Sequence, residues 1–287
     1  MKKISFIFIF VISIFGMQTT GYCNDYYKKG LDYFNGTNVT KDYYKASEFF
    51  KKSCNNNDVN GCYNLGLMHL DGIGIEQDYI KAAELYKKAC ELGDFDSCFQ
   101  LGAMYGEGLG VKQNNFLSFE LYKKACDGNS ASGCLNMGLM YHHGKGVAQD
   151  FLNAIKCYTI ACNKNNLNGC FNLGLMNLEG IGTIKDYYKA EKFFRKACNG
   201  NHESACFRLG IMYNRGQGIK KDYIISAEMY KKSCNKNHAS GCFNLGIMYQ
   251  TGQGVEQSIE KALKLYEKSC DLKLQEGCDA YAKLKNW

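Results

Sequence analysis

The sequence predicts an all-α fold, an α/α solenoid of 36-residue helix–turn–helix repeats stapled by disulfides. Three observations carry that expectation. Cysteine recurs at 54, 90, 126, 162, 198, 234 and 270, always 36 residues apart, and a second cysteine follows each by eight, at 62, 98, 134, 170, 206, 242 and 278. Glycine, small-residue and aromatic columns keep the same period without insertion or deletion, which marks internal repetition. The 287 residues also include 31 glycines and no proline, as suits helices joined by glycine turns.

In chain order, residues 1–23 read as a signal peptide. Lys2 and Lys3 precede an apolar run from Ile4 to Gly16 that is too short for a comfortable membrane span. Cleavage after Gly21 or Cys23 would lower the formal charge from +7 to +5. No later segment reads as a membrane span. The lysines are scattered, so nucleic acid is not an expected partner. The remainder, residues 24–287, is expected to form a single solenoid. About seven repeats run from near Asn24 to Leu274, and Gln275 to Trp287 form a C-terminal capping helix.

Within the unit from Asn60 to Phe95, Asn60 is the expected N-cap of the first helix, as are Asp96, Ser132, Asn168, Ser204 and Ser240 in theirs. Cys62, Leu65, Gly66, Met68 and His69 follow at helical spacing. The helix stops at Gly72-Ile73-Gly74. Asp78 caps the second helix, in a column with Asp42, Asn114, Asp150, Asp186, Asp222 and Ser258. Ala82, Leu85, Tyr86 and Ala89 form its buried stripe. Gly93 ends it, in a column with Asn57, Asn129, Asn165, Asn201 and Asn237, residues suited to a left-handed stop. Gly66 and Ala82 are small residues on facing helices, which implies a close backbone approach with Tyr86 and Leu65 packed beside it. The methionines at 68, 104, 140, 176, 212 and 248 lie on a buried face and belong to the core.

Regular cysteines in an exported chain mean disulfides. Zinc would call for Cys-x-x-Cys or nearby histidines; neither spacing occurs, and the five histidines follow no repeat, so no metal or other cofactor is expected. Two pairings suit the hairpin geometry: Cys54 with Cys62 across the turn between units, or Cys62 with Cys90 within a hairpin. Counting favours the first. It pairs Cys54–Cys62, Cys90–Cys98, Cys126–Cys134, Cys162–Cys170, Cys198–Cys206, Cys234–Cys242 and Cys270–Cys278, whereas the second strands Cys54 and Cys278. Cys157 replaces Phe49, Leu85 or Leu121 in a core column, so it reads as a buried free thiol.

The motifs Leu65-Gly66-x-Met68, Asp71-Gly72-x-Gly74 and Asp78-x-x-Lys81-Ala82 resemble the Sel1-like repeat, a relative of the tetratricopeptide repeat. Cysteines eight apart in every unit, behind a signal peptide, resemble the Helicobacter cysteine-rich protein family. The resemblance implies a right-handed superhelix and a periplasmic or secreted location. It also implies one of two activities: binding of a protein partner, or penicillin binding and β-lactam hydrolysis. A penicillin-reactive serine enzyme calls for Ser-x-x-Lys, Ser-Asp-Asn and Lys-Thr-Gly. Only the first occurs, at Ser258 and Lys261, and both fall in structural columns. His142-His143 and His202-Glu203 lack the spacing of a zinc site and read as solvated loop residues.

The remaining candidate is the face of the first helices, which stacking should turn into an extended groove. Asn64, Gln100, Asn136, Asn172, Arg208 and Asn244 form an amide-rich column just before the packing glycine. In tetratricopeptide relatives the matching column faces the groove. An amide offers a donor and an acceptor, which suits a peptide backbone, a protein segment or a peptidoglycan-related fragment.

Overall fold

The computed structural model describes residues 23–286. The expected signal peptide therefore lies, apart from Cys23, outside the described residues, as does Trp287. The chain divides into two compact units, one ending at Leu92 and one beginning at Gly93. Among the described residues there are helices and turns and no strand.

The first unit contains α1 (Cys23–Asn35), α2 (Tyr43–Asn55), α3 (Val59–Asp71) and α4 (Tyr79–Glu91). The second contains α5 (Phe95–Glu107), α6 (Asn115–Asp127), α7 (Ala131–His143), α8 (Phe151–Asn163) and α9 (Leu167–Glu179). It continues with α10 (Tyr187–Asn199), α11 (Glu203–Arg215), α12 (Tyr223–Asn235), α13 (Ala239–Thr251), α14 (Ile259–Asp271) and α15 (Gln275–Lys285). Helices of 13 residues are marginal alone in water, so packing between them supplies most of the stability.

That packing rests on a repeated ring-on-glycine contact. Phe194 of α10 is fully buried, and a Cβ on Gly174 of α9 would lie 2.5 Å from its ring. The facing helices do come close at the small-residue columns: Ser226 Oγ of α12 donates to the Gly210 carbonyl of α11 at 2.8 Å. Glycine at that column admits the aromatic ring as well as the neighbouring helix. The six methionines are almost fully buried, as their spacing predicts.

The second helices start where the sequence places them. Asp42, Asp78, Asn114, Asp150, Asp186, Asp222 and Ser258 are N-caps whose side chains accept backbone N–H groups. Asn57, Asn129, Asn165, Asn201 and Asn237 take positive φ angles at their stops, as expected. Lysines add a second tie at those ends. Lys88 Nζ donates to the Cys54 carbonyl at 2.7 Å, Lys196 to Cys162 at 2.8 Å and Lys268 to Cys234 at 2.9 Å. Each brings a cation to the negative end of the preceding repeat's second helix.

The first helices start two residues earlier than expected. The caps are Asp58, Asp94, Ser130, Asn166, His202 and His238, not the Asn60 column. Polar residues crowd this turn, and the one that caps is the one whose extended backbone still precedes the helix. Two expectations about histidine are corrected with it. His202 and His238 stand 36 residues apart, so these two share a column. Nor are they solvated: His202 stacks on Phe171 at 4.7 Å and His238 on Phe207 at 4.6 Å.

In both caps Nδ1 accepts a backbone N–H, from Ala205 and from Gly241, each at 3.2 Å. His202 Nε2 then donates to Asn168 Oδ1 at 3.0 Å. A proton on Nδ1 would abolish the cap and put a cation at the positive end of a helix. Burial accordingly lowers both pKa values, Glu203 opposing it at each; at His238, Arg208 and His202 add to the lowering. A histidine with a depressed folded pKa contributes stability that is complete above its unfolded pKa of about 6.5 and is lost as pH falls below it. The melting temperature should therefore fall between about pH 7 and pH 5. In His202→Asn/His238→Asn, with the cap that Asn166 uses, the fall should be smaller. An equal fall in both proteins would show that these caps do not carry it.

Candidate functional site

The first helices of the second unit each leave one face incompletely covered. On α9 it comprises Asn168, Asn172, Leu175 and Glu179, and on α7 Ser132, Asn136, Leu139 and His143. The four positions are spaced by about one helical turn, so α5, α7, α9, α11 and α13 show the same order: small polar, amide or arginine, aliphatic, and a polar or charged end. Gln100, Asn136, Asn172, Arg208 and Asn244 are all half-buried there, and Asn64 is likewise half-buried in the first unit.

The amides also make local bonds. Asn64 Nδ2 donates to the Asn60 carbonyl at 2.8 Å and contacts Tyr27 Oη at 3.4 Å; Asn136 Nδ2 donates to the Ser132 carbonyl at 3.0 Å. In these two residues one N–H of the amide is thus engaged by its own helix, which leaves a second N–H and the carbonyl oxygen of the group.

At Asn136 the face borders a recess. A cavity of about 220 Å³ opens there, lined among others by Gly106, Ser118, Tyr122, Met140, His143 and Lys145. Its origin is a single glycine. Four repeats further on, Gln250 stands at the position of Gly106 and accepts Tyr266 Oη at 2.6 Å. With glycine there, Tyr122 lines the cavity and its hydroxyl has Ser118 as hydrogen-bond partner. Burial raises the Tyr122 hydroxyl to about 12, so it stays a neutral donor at physiological pH. The cavity therefore combines a phenol, an amide, a histidine and a lysine with the Met140 thioether. The repeat columns alone hold no signal for it, because it comes from one exception, Gly106.

The other sequence candidates do not join this site. Ser258 Oγ accepts the Lys261 backbone N–H at 3.3 Å, and the Lys261 ammonium lies 5.2 Å from the centre of the Tyr249 ring. Serine and ammonium thus have separate structural contacts. Cys157 is a free thiol, buried in α8, and burial pushes its pKa up to about 11. At neutral pH it is not a thiolate nucleophile. His142 and His143 occupy the last turn of α7, where His142 packs edge-on against Phe151 at 5.3 Å. Among the described residues no group of three or more His, Cys, Asp or Glu side chains could hold a metal ion.

Six disulfides lie within the units. Cys54–Cys62 staples α2 to α3, and Cys126–Cys134, Cys162–Cys170, Cys198–Cys206, Cys234–Cys242 and Cys270–Cys278 staple the corresponding helices of the second unit. Their Cα separations are 4.4–4.7 Å. The Cys90 and Cys98 positions flank the boundary between the units. Each bridge ties the end of a second helix to the start of the next first helix, so it holds neighbouring first-helix faces in register.

Comparison with known proteins places this architecture. The Sel1 repeat matches residues 26–58, 59–94, 95–130, 131–166, 167–202, 203–238 and 239–274. Among solved structures, the chain is similar to c5321, a protective antigen present in uropathogenic Escherichia coli strains that displays an SLR fold. The identity is 30%, the TM-score 0.87, and the match covers 92% of this chain and 56% of that one. This chain thus spans little more than half the length of that protein. It is also similar to a Sel1 repeat protein from Oxalobacter formigenes, with 22% identity, a TM-score of 0.81 and coverage of 92% and 76%. Helicobacter pylori cysteine rich protein B is 32% identical, covering 46% of this chain and 94% of that one, with a TM-score of 0.39. No curated protein matches the sequence.

Proposed function

This chain belongs to the Sel1-repeat family, and from that premise we propose that it is an exported scaffold that holds a peptide or protein segment against its first helices. One observation carries the reading. The same half-buried amide-rich column recurs on every first helix from α3 to α13, and at Asn136 it borders a cavity with polar groups of several kinds.

The chemistry favours an extended peptide. Amide oxygens repeated once per repeat suit backbone N–H groups, which recur regularly whatever the ligand's side chains. The partly covered aliphatic residues beside them, Leu139, Leu175, Ile211 and Ile247, offer an apolar floor for alternate side chains. Rigid stapling supports such a role, because a preorganised surface loses little entropy on binding. The disulfides also favour an oxidising compartment, and among the described residues no helix is long and apolar enough to cross a membrane.

The test is equilibrium binding of peptides selected on the oxidised protein, compared with Asn136→Ala/Asn172→Ala. The double substitution should weaken binding about tenfold or more, at roughly 0.5–1.5 kcal/mol for each hydrogen bond lost. Binding that survives unchanged would remove the amide column from the site. Incubation with a penicillin provides the opposing arm: an acyl adduct found by mass spectrometry would replace the scaffold reading with an enzymatic one.

A further inference from the structure

We propose that the N-terminal ends of the second helices in the unit beginning at Gly93 form a docking edge for an anionic phospholipid surface. Each of these helices opens in the same way. After the cap comes a residue covered by the next repeat's turn, and after that a large apolar residue pointing outward. The outward residues are Phe116, Leu152, Tyr188 and Ile224, the last two each 71% exposed. Ile184, in the turn before α10, is 88% exposed.

The turns set these tips along one edge. A Cβ on Gly146, Gly182, Gly218 or Gly254 would come within 2.5 Å of Asn115, Phe151, Tyr187 or Tyr223, the first residues of the preceding second helices. Each helix end is therefore clamped beneath the following turn, and the next residue is thrown outward at every step. In the other unit Tyr44 and Ile80 hold the same position and are 62% and 61% exposed.

The fold does not require apolar residues here. The first turn of a helix favours Asp or Glu. The last repeat has Glu260 at this position, exposed and paired with Lys264 at 2.6 Å. The apolar tips thus occupy a place where an acid serves the helix better, in four consecutive repeats.

The arrangement selects the occupant. The tips stand one per repeat, which suits insertion of separate side chains among headgroups more than the contiguous patch of a protein interface. Lys112, Lys185, Lys189, Lys220 and Lys221 lie exposed in the same segments. The acids there, Asp150, Asp186 and Asp222, are caps whose carboxylates accept the N–H groups of Asn153, Lys189 and Ile225. Lys185 and Lys221 lie 5.8 and 5.5 Å from the ring centres of Tyr187 and Tyr223. Long cationic side chains beside tyrosine and isoleucine match a phosphate-bearing interface, with cations at the headgroups and apolar tips just below.

Flotation of the full oxidised chain with vesicles tests this. It should bind equimolar phosphatidylglycerol and phosphatidylcholine, bind phosphatidylcholine alone much more weakly, and release as salt rises. Ile184→Ser/Tyr188→Ser/Ile224→Ser should weaken binding by roughly tenfold or more with the melting temperature unchanged. Lys185→Gln/Lys220→Gln/Lys221→Gln should abolish the preference for phosphatidylglycerol. No binding to the anionic vesicles, or equal binding by wild type and both variants, would overturn the proposal. So would an oligomer that the serine variant converts to monomer in the absence of vesicle binding, since a second copy would then occupy the edge.

Discussion

Alanine at both Cys198 and Cys206 is expected to lower the melting temperature by about 5–10 °C. The bridge closes a loop of eight residues between α10 and α11. In the chain-entropy treatment such a loop restrains the unfolded chain by roughly 2–3 kcal/mol. At about 2–4 °C per kcal/mol for a chain of this size, the shift follows. Both cysteines are almost fully buried, so their loss also removes packing at the junction. Reduction of the whole protein should act at every junction and lower the melting temperature much further, which calorimetry with and without reductant would read. Equal melting with and without reductant would mean that the bridges staple nothing the helices do not already hold.

The second large effect is expected inside the repeat. Phe194→Ala should cost roughly 3–5 kcal/mol, because the ring is fully buried between the Phe171 ring and the close approach of α9 at Gly174. Gly174→Ala should also destabilise, by overpacking, since its Cβ would sit 2.5 Å from the same ring. The two effects are coupled. In a Phe194→Leu background the added methyl group meets a smaller side chain, so Gly174→Ala should do less harm there than in the wild type. Urea unfolding of the four proteins, followed by hydrogen exchange in α9 and α10, measures that difference. Strict additivity would show that ring and glycine are not in contact.

How much of this was legible depends on whether a residue's role is local. The second-helix caps were readable at Asp78 and its column because a lone capping residue precedes each apolar stripe. The left-handed stops at Asn57 and Asn129 were readable for the same reason. At the first helices the run Asn55–Asn60 offers five polar residues around Val59, and composition could not say which one keeps an extended backbone. His202 and His238 were missed because histidine caps only as the tautomer with an unprotonated Nδ1, a state that the spacing does not encode. The Lys196–Cys162 tie joins residues 34 apart and needs the stacking of repeats to appear. The cavity at Asn136 was hidden because Gly106 looks like one more turn glycine near Gly108, whereas it lies within α5 and opens the space over Tyr122. The outward column of Phe116, Leu152, Tyr188 and Ile224 has the repeat's period, but period alone does not separate a buried stripe from an exposed one.

The central claim is that the first helices hold the ligand, and hydrogen–deuterium exchange tests it most directly. The oxidised protein would be labelled alone and with the tightest-binding peptide recovered from a random library. New protection is expected to concentrate in α5, α7, α9, α11 and α13, strongest around Asn136 and Asn172 and absent from the N-terminal ends of α8, α10 and α12. Protection confined to the second helices, with the first helices exchanging as they do in the free protein, would contradict it.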